Sequence, residues 1–325
     1  MQTSTLGRTG RDVSVIGLGA WQIGDAWGTV ADDEAREVVE SATGAGMTFI
    51  DTADVYGAGR SERFIGEHLR HNPDVFVATK MGRKVAQVPK NYTMDNFRTW
   101  IADSRQNLGV ETIDLIQLHC PPTAVLADDE VFEGLDTLVD EGLIRHYGVS
   151  VETAEQALMV LGRENLATVQ IVLNALRLKP LERVLPTART HGVGIIARVP
   201  LASGLLSGRF DENTTFAEND HRNFNRAGEA FDVGETFAGV PYDVGLSAVA
   251  QLRELVPEGM SLAQFALRWV VDQPGVSTVI PGARSAAQAS ANAAVADLEP
   301  LTDEHFAGVR RIYDDLVRPH VHHKW

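Results

Sequence analysis

An acid, a phenol, an ammonium and an imidazole each stand just after a short apolar run in this chain. Asp51 and Tyr56 lie in FIDTADVYG, Phe49 to Gly57. Lys80 closes VFVATK, and His119 closes DLIQLH. The chemistry that suits such a set is proton delivery to a carbonyl oxygen. A free tyrosine, with a pKa near 10, is a weak acid at neutral pH. A lysine ammonium beside it favours the phenolate and so lowers that value. Asp51 can pair with Lys80 and hold it charged in a desolvated place. A neutral His119 can donate a hydrogen bond that orients and polarises the carbonyl. No side chain donates hydride, so a nicotinamide must supply it and the protein must position it.

Taken singly, each residue has an ordinary structural role. A strand-end aspartate caps turns, a tyrosine before glycine packs, a strand-end lysine is solvated, and a histidine before Cys120-Pro121-Pro122 anchors a loop. Their arrangement at successive strand ends is what points to chemistry. The rival use of Asp51, as one of two acids of a barrel glycosidase or isomerase, needs a second carboxyl at a set separation. Glu62 is the conceivable partner, but it falls in a helix-like stretch and leaves Tyr56 and Lys80 unexplained.

The elements that must position these groups read as a repeat. Eight β-prone apolar runs occur, at Ser14–Gly19, Thr48–Asp51, Val75–Thr79, Leu115–Leu118, His146–Val149, Thr168–Ile171, Gly194–Ala197 and Ser277–Ile280. They are almost continuously apolar, as parallel strands covered on both faces are. Amphipathic segments lie between them, at Asp32–Ala45, Asp95–Leu108, Asp128–Asp140, Thr153–Leu161, Leu181–His191 and Ser261–Asp272. Acidic or hydroxyl starts and glycine stops are the expected capping chemistry. Eight such units predict a closed (β/α)8 TIM barrel, an α/β fold, whose chemistry sits at the C-terminal ends of the strands. An open doubly wound sheet is the rival, but GLGAWQIG is a poor version of its glycine-rich fingerprint.

Outside the repeat, Ser4–Leu6 and Asp12–Ser14 flank GRTG and predict an N-terminal β-hairpin over residues 3–15 that plugs the barrel bottom. Residues 203–245, after strand seven, form a long loop of the kind that serves as a lid or binding loop. Thr302–Val317 predicts a C-terminal helix, and RPHVHHKW a frayed tail. The whole chain, 1–325, reads as one domain.

The chain has 325 residues, 44% of them hydrophobic and 22% charged, ample for a core. The net charge of −15 argues against nucleic acid or an anionic membrane as partner, since both reward clustered Lys and Arg. The single cysteine, Cys120, excludes an intramolecular disulfide framework and fits a reducing cytoplasm. No secretory pattern and no membrane span is expected. No paired zinc-type ligand spacing occurs, so no metal is expected.

In order, spacing and strand position, FIDTADVYG, VFVATK and DLIQLH resemble the motifs of the aldo-keto reductase family. The resemblance covers nearly the whole chain and is nearest the bacterial general-stress-type branch. It implies Asp51, Tyr56, Lys80 and His119 as a catalytic tetrad with Tyr56 as general acid. It also implies NADP(H), NADPH preferred over NADH, lying across the barrel mouth.

The cofactor residues follow from the resemblance one by one. Ser150 in HYGVS and Gln170 in TVQIVLN match positions that bind the nicotinamide carboxamide. The family often has Asn after that serine; here it is Val151, with Asn174 a possible substitute. Arg198 stands where many members stack an aromatic ring on the nicotinamide, and a guanidinium plane can also stack. Gly19, Ala20 and Trp21 flank the cofactor after strand one. Leu201, Ser203, Leu206, Ser207 and Arg209 line the pyrophosphate. Gly282, Arg284, Gln288 and Asn292 read the adenosine end, where Arg284 clamps the 2′-phosphate. Gly282 replaces a family lysine, and Gln288 a family arginine. The substrate is a small carbonyl or alcohol, met by Trp21, Trp27, Val55, Tyr56 and His119. The protein is expected to be a cytoplasmic monomer or small homo-oligomer. The alternative that the resemblance leaves open is a nicotinamide-binding sensor or a partner protein like a channel β-subunit, with little turnover.

Overall fold

Strand β1 (Thr3–Thr5) pairs antiparallel with β2 (Asp12–Ser14), forming the expected hairpin. The eight strands that follow run parallel round one sheet in sequence order. They are β3 (Leu18–Gly19), β4 (Phe49–Asp51), β5 (Phe76–Met81), β6 (Ile113–His119), β7 (Ile144–Ser150), β8 (Leu166–Val172), β9 (Gly194–Arg198) and β10 (Val276–Val279). Parallel bridges from Ile16 to Val279 and from Gly19 to Gly282 join the first strand to the last. The sheet is therefore closed into the (β/α)8 barrel. This computed structural model describes residues 1–24 and 30–325. Trp27 lies outside the described residues.

Alternation along each strand sorts the interior into layers. Phe49, Phe76 and Leu115 point inward low in the barrel, where they pack with Leu6 and Val13 of the hairpin. The hairpin thus plugs the bottom as its sequence predicts. Two residues further up the same strands stand Asp51, Ala78 and Gln117, and beyond them Lys80 and His119. Apolar side chains fill the closed end, and polar ones are raised to the open end. The larger core lies between strands and outer helices, built on Val38, Val39, Ile65, Trp100, Leu135, Val184 and Trp269 among others.

The helices start and stop on local chemistry. Thr93 accepts from the Asn96 N–H ahead of helix Met94–Leu108, which ends at Gly109 with φ 67°. Thr153 with Gln156, and Ser261 with Gln264, form reciprocal caps for Ala154–Val160 and Leu262–Val271. No helix among the described residues is long and apolar enough to cross a membrane.

Three departures from the sequence reading have plain causes. Ser14, read both as the end of the hairpin and as the start of the first barrel strand, belongs to the hairpin alone. Its N–H donates to Thr48 Oγ1 and its hydroxyl to the Ile16 carbonyl, turning the chain between the two sheets. The long segment 203–245 is broken by short helical turns, and a full helix, Tyr242–Arg253, begins inside its far end. Its apolar face, Ala248, Val249 and Leu252, is buried. The RPHVHHKW tail is folded rather than frayed. Helix Asp303–Ile312 widens into a π-helical turn over Tyr313–Val317 and continues as Arg318–Val321. Trp325 is buried, with the Arg177 guanidinium 3.8 Å from its ring.

Candidate active site

The turn after β4 carries Tyr56 back over the strand ends. The Thr52 and Asp54 N–H groups donate to Ala78 and Lys80 carbonyls of β5, 2.8 and 3.2 Å. Gly57, at φ 58°, then lets the chain reverse into helix Arg60–Leu69. This places the phenol over the Lys80 ammonium. Lys80 Nζ donates to Asp51 Oδ1 at 2.5 Å, to the Thr52 carbonyl at 2.8 Å and to the Tyr56 hydroxyl at 3.4 Å. Lys80 and Asp51 are 1% and 3% exposed, so the pair is desolvated. The second oxygen of Asp51 accepts from the Gln117 and Gln170 amides at 3.1 and 2.7 Å. His119, from the end of β6, meets Tyr56 edge-on with ring centres 5.9 Å apart.

The electrostatics follow from burial and charge. Burial works against a charge on Lys80, but Asp51 and then Tyr56 outweigh it and hold the ammonium above its ordinary value. Burial also raises the Tyr56 phenol above its ordinary value, with Lys80 pulling it back. The net direction is thus opposite to the lowering expected from Lys80 alone. Burial, reinforced by Arg83 and Lys80, depresses His119 well below the usual imidazole range, so it is neutral at physiological pH. A protonated phenol and a neutral imidazole on one wall, with a fixed ammonium behind the phenol, can together protonate and polarise one oxygen atom.

That wall opens into a cavity of about 570 Å³. Gly19, Trp21, Asp51, Tyr56, His119, Ser150, Gln170 and Arg198 line one part; Leu201, Ser203, Ser207 and Arg209 another; Gly282, Arg284, Gln288 and Asn292 a third. Other expected residues do not line it. Ala20 is enclosed, its carbonyl accepting from Ser61. Leu206 is in the core, Val55 sits on the turn, and Lys80 lies behind Asp51 and Tyr56. Asn174 bonds the Val199 carbonyl and the Leu176 N–H and does not line the cavity. Glu62 is committed to Thr79 and Asn107. Trp21 packs against Tyr56, and also against His221 and Phe231 of the long segment, with ring centres 6.1, 4.9 and 5.9 Å apart.

Sequence reasoning missed a buried charge cluster beside this wall. Arg198 is held within it: it donates to Glu152 Oε2 at 2.8 Å and pairs with Glu235 Oε1 at 3.4 Å. Arg83 reaches both acids, at 3.4 and 3.2 Å, and its Nε donates to the His119 carbonyl. Glu152, Glu235 and Cys120 offer ligand atoms within 4.8 Å of one another, a spacing that could hold a cation. Here the Arg198 guanidinium serves those groups, reaching Cys120 Sγ at 3.6 Å. Against burial, Arg198 and Arg83 keep Glu152 below the usual carboxylate range, whereas burial leaves Glu235 above it. Burial also pushes the Cys120 thiol up to about 12, so it is not a ready nucleophile. Scattered over positions 83, 152, 198 and 235, these residues have no local sequence signature. Only the placement of Glu152 two residues past a strand-end serine hints at it.

Asp54 is fully buried, and neither carboxyl oxygen has a hydrogen-bond partner among the described residues. Burial raises it to about 7, Lys84 opposing and Glu62 assisting. A raised folded value means that the proton is held more tightly in the folded state. The associated stability is present below the ordinary value of 3.8 and is lost as pH rises toward about 7. Asp54→Asn therefore flattens this loss. In urea melts at pH 8 the variant gains a few kcal/mol, on the order set by linkage, and at pH 4 it gains almost nothing. Equal gains at both pH values would contradict the assignment.

Comparison with known proteins points to one family. The family model for the aldo/keto reductase family matches residues 15–314. Aldo-keto reductase YhdN of Bacillus subtilis is 32% identical over 299 residues, covering 90% of this chain and 87% of that protein. The structure of the glycerol dehydrogenase AKR11B4 from Gluconobacter oxydans aligns with a TM-score of 0.78 and 33% identity, over 98% of this chain and 96% of that one. A Klebsiella pneumoniae aldo-keto reductase in complex with NADPH aligns with a TM-score of 0.70 and 26% identity, over 96% of both chains. On these matches, over nearly the whole of the closed barrel, the chain belongs to the aldo/keto reductase family of oxidoreductases.

Proposed function

We propose that the protein interconverts a small aldehyde or ketone and its alcohol, with NADPH as the hydride donor in the reductive direction. The observation that carries this is the Lys80 ammonium held between the Asp51 carboxylate and the Tyr56 phenol, on a cavity wall shared with neutral His119.

The cavity residues fit a nicotinamide dinucleotide phosphate. Ser150 and Gln170 offer a hydroxyl and an amide for a carboxamide. Gln170 spends its N–H on Asp51, so its carbonyl end is the acceptor for the carboxamide amine. Ser203 and Gly204, both in left-handed backbone, shape the stretch beside Ser207 and Arg209 for a pyrophosphate. Arg284 is an exposed cation just ahead of helix Ala286–Ala293, whose N-terminus favours a phosphate. The Klebsiella relative is described as an NADPH complex, which supports the same choice.

When bound, the reduced nicotinamide supplies hydride to the carbonyl carbon. The chain's own residues manage the oxygen. Tyr56 donates its proton as negative charge develops there. Lys80 stabilises the phenolate left behind, and Asp51 keeps Lys80 in place. His119 donates a hydrogen bond to the same oxygen, fixing the carbonyl on the wall. Solvent returns a proton to Tyr56, and the reverse reaction uses the phenolate as base. The Trp21 ring and the modest cavity suit small carbonyl compounds.

Cofactor choice has its own test. Arg284→Ala is expected to raise the KM for NADPH about tenfold, the scale of one charged phosphate contact, and to leave the KM for NADH nearly unchanged. Equal changes for both cofactors would remove Arg284 from 2′-phosphate recognition.

A further inference from the structure

The segment Asp232–Gly239 borders the cavity through Glu235 and holds strained backbone. Phe237 and Ala238 stand at φ 51° and 58°, a region unfavourable for residues with a Cβ. Such strain persists only where the surroundings over-determine it. Ser203 Oγ donates to the Glu235 carbonyl at 3.0 Å and accepts from the Phe237 N–H at 3.1 Å. Arg177 Nη1 donates to the Ala238 carbonyl at 3.1 Å. Trp325 completes the clamp. Its Nε1 donates to Asp232 Oδ1 at 3.0 Å, and the same oxygen accepts from the Gly234 N–H at 2.7 Å. Its ring lies under the Arg177 guanidinium and directly against Gly239, where an added Cβ would come within 2.3 Å of the ring.

The clamped segment delivers one side chain to the cavity, Glu235. Glu235 pairs with Arg198, on the cavity wall, and with Arg83, which donates to the His119 carbonyl. Trp325 itself does not line the cavity. An unbroken run of contacts therefore leads from the folded tail to the wall.

We propose that Trp325 is a positioning residue that holds the Asp232–Gly239 segment in its strained form, so that Glu235 fixes Arg198 and thereby sets cofactor affinity. This rests on the cofactor reading above. It differs from a general packing role because the effect is confined to cofactor binding and to the mobility of one segment.

The test compares full-length wild type with Trp325→Ala, Trp325→Phe and Gly239→Ala. NADPH Kd, kcat at saturating NADPH and chymotryptic cleavage after Phe237 are measured for each. Trp325→Ala is expected to raise Kd about tenfold and speed cleavage of the segment by a similar factor, with kcat within about twofold. Gly239→Ala, whose Cβ would come within 2.3 Å of the ring, is expected to do the same. Trp325→Phe, which keeps the stack but loses the Nε1 bond, is expected to recover most of both effects. Wild-type Kd and wild-type cleavage in Trp325→Ala would overturn the proposal. So would a loss of kcat with unchanged Kd. If wild type fails to bind NADPH, the cofactor reading falls; cleavage of the segment then decides the clamp alone, unchanged rates refuting it.

Discussion

Tyr56→Phe is expected to lower kcat for carbonyl reduction about a thousandfold, the scale of a positioned general acid, while NADPH Kd stays within about twofold. The phenyl ring keeps its contacts with Trp21 and His119, so the wall retains its shape. What disappears is the proton for the carbonyl oxygen. Steady-state turnover and cofactor fluorescence on the same samples separate the two effects. The raised phenol bears on pH as well. Tyr56 stays protonated to above its ordinary value of 10, so the reductive rate holds across neutral pH and falls only in the alkaline range. A variant that reduces carbonyls at the wild-type rate would remove Tyr56 from the chemistry.

Lys80→Met is expected to damage both stability and activity. It leaves the buried Asp51 carboxylate with the Gln117 and Gln170 amides as its remaining side-chain donors among the described residues. Removing one partner of a buried ion pair costs about 3–5 kcal/mol, readable in a urea melt. Turnover falls with it, because Tyr56 loses the cation that stabilises its conjugate base. Adding Asp51→Asn removes the unpaired charge and is expected to restore most of the stability and none of the turnover. The pair's pH dependence has a definite sign. Lys80 binds its proton more tightly folded than unfolded. Its stabilisation is present below its ordinary value of 10.5 and is lost as pH rises through the higher folded one. If Lys80→Met alone matched wild-type stability, the pair would not be the buried anchor described here.

The parts of this site that were legible in the sequence are those set by strand periodicity. FIDTADVYG, VFVATK and DLIQLH announce both a strand and the polar residue at its end, and the barrel rule says which end is open. The carbonyl chemistry proposed for Asp51, Tyr56, Lys80 and His119 rests on those residue types. What stayed hidden depends on contacts between distant segments. Lys80 was expected to lower Tyr56, but burial, which one-dimensional reading does not weigh, outdoes it. The ion pairs that hold Arg198 were not legible, because Glu152 and Glu235 reach its guanidinium from positions 46 residues before and 37 after it. The helix Tyr242–Arg253 was partly absorbed into the long loop because Gly245 weakens its opening turn. The tail read as frayed because its polar composition masks one anchoring tryptophan.

Leu206 and Ala20 illustrate a milder limit. Both sit within stretches that border the cavity, yet their side chains turn to the core. Neighbouring Ser203, Ser207 and Trp21 face the cavity instead. A resemblance assigns a stretch to the cofactor, and only the backbone path decides which side chains reach it. The left-handed residues Ala202 and Ser203 make that decision here, since they alter the direction in which successive side chains leave the chain.

The most direct test of the central claim is the fall in reduced-nicotinamide absorbance when the wild-type protein meets NADPH and a panel of small aldehydes and ketones. Consumption of NADPH matched by formation of the corresponding alcohol, in equal amounts, is expected for at least one class in the panel. Tight NADPH binding with no consumption on any member would contradict it.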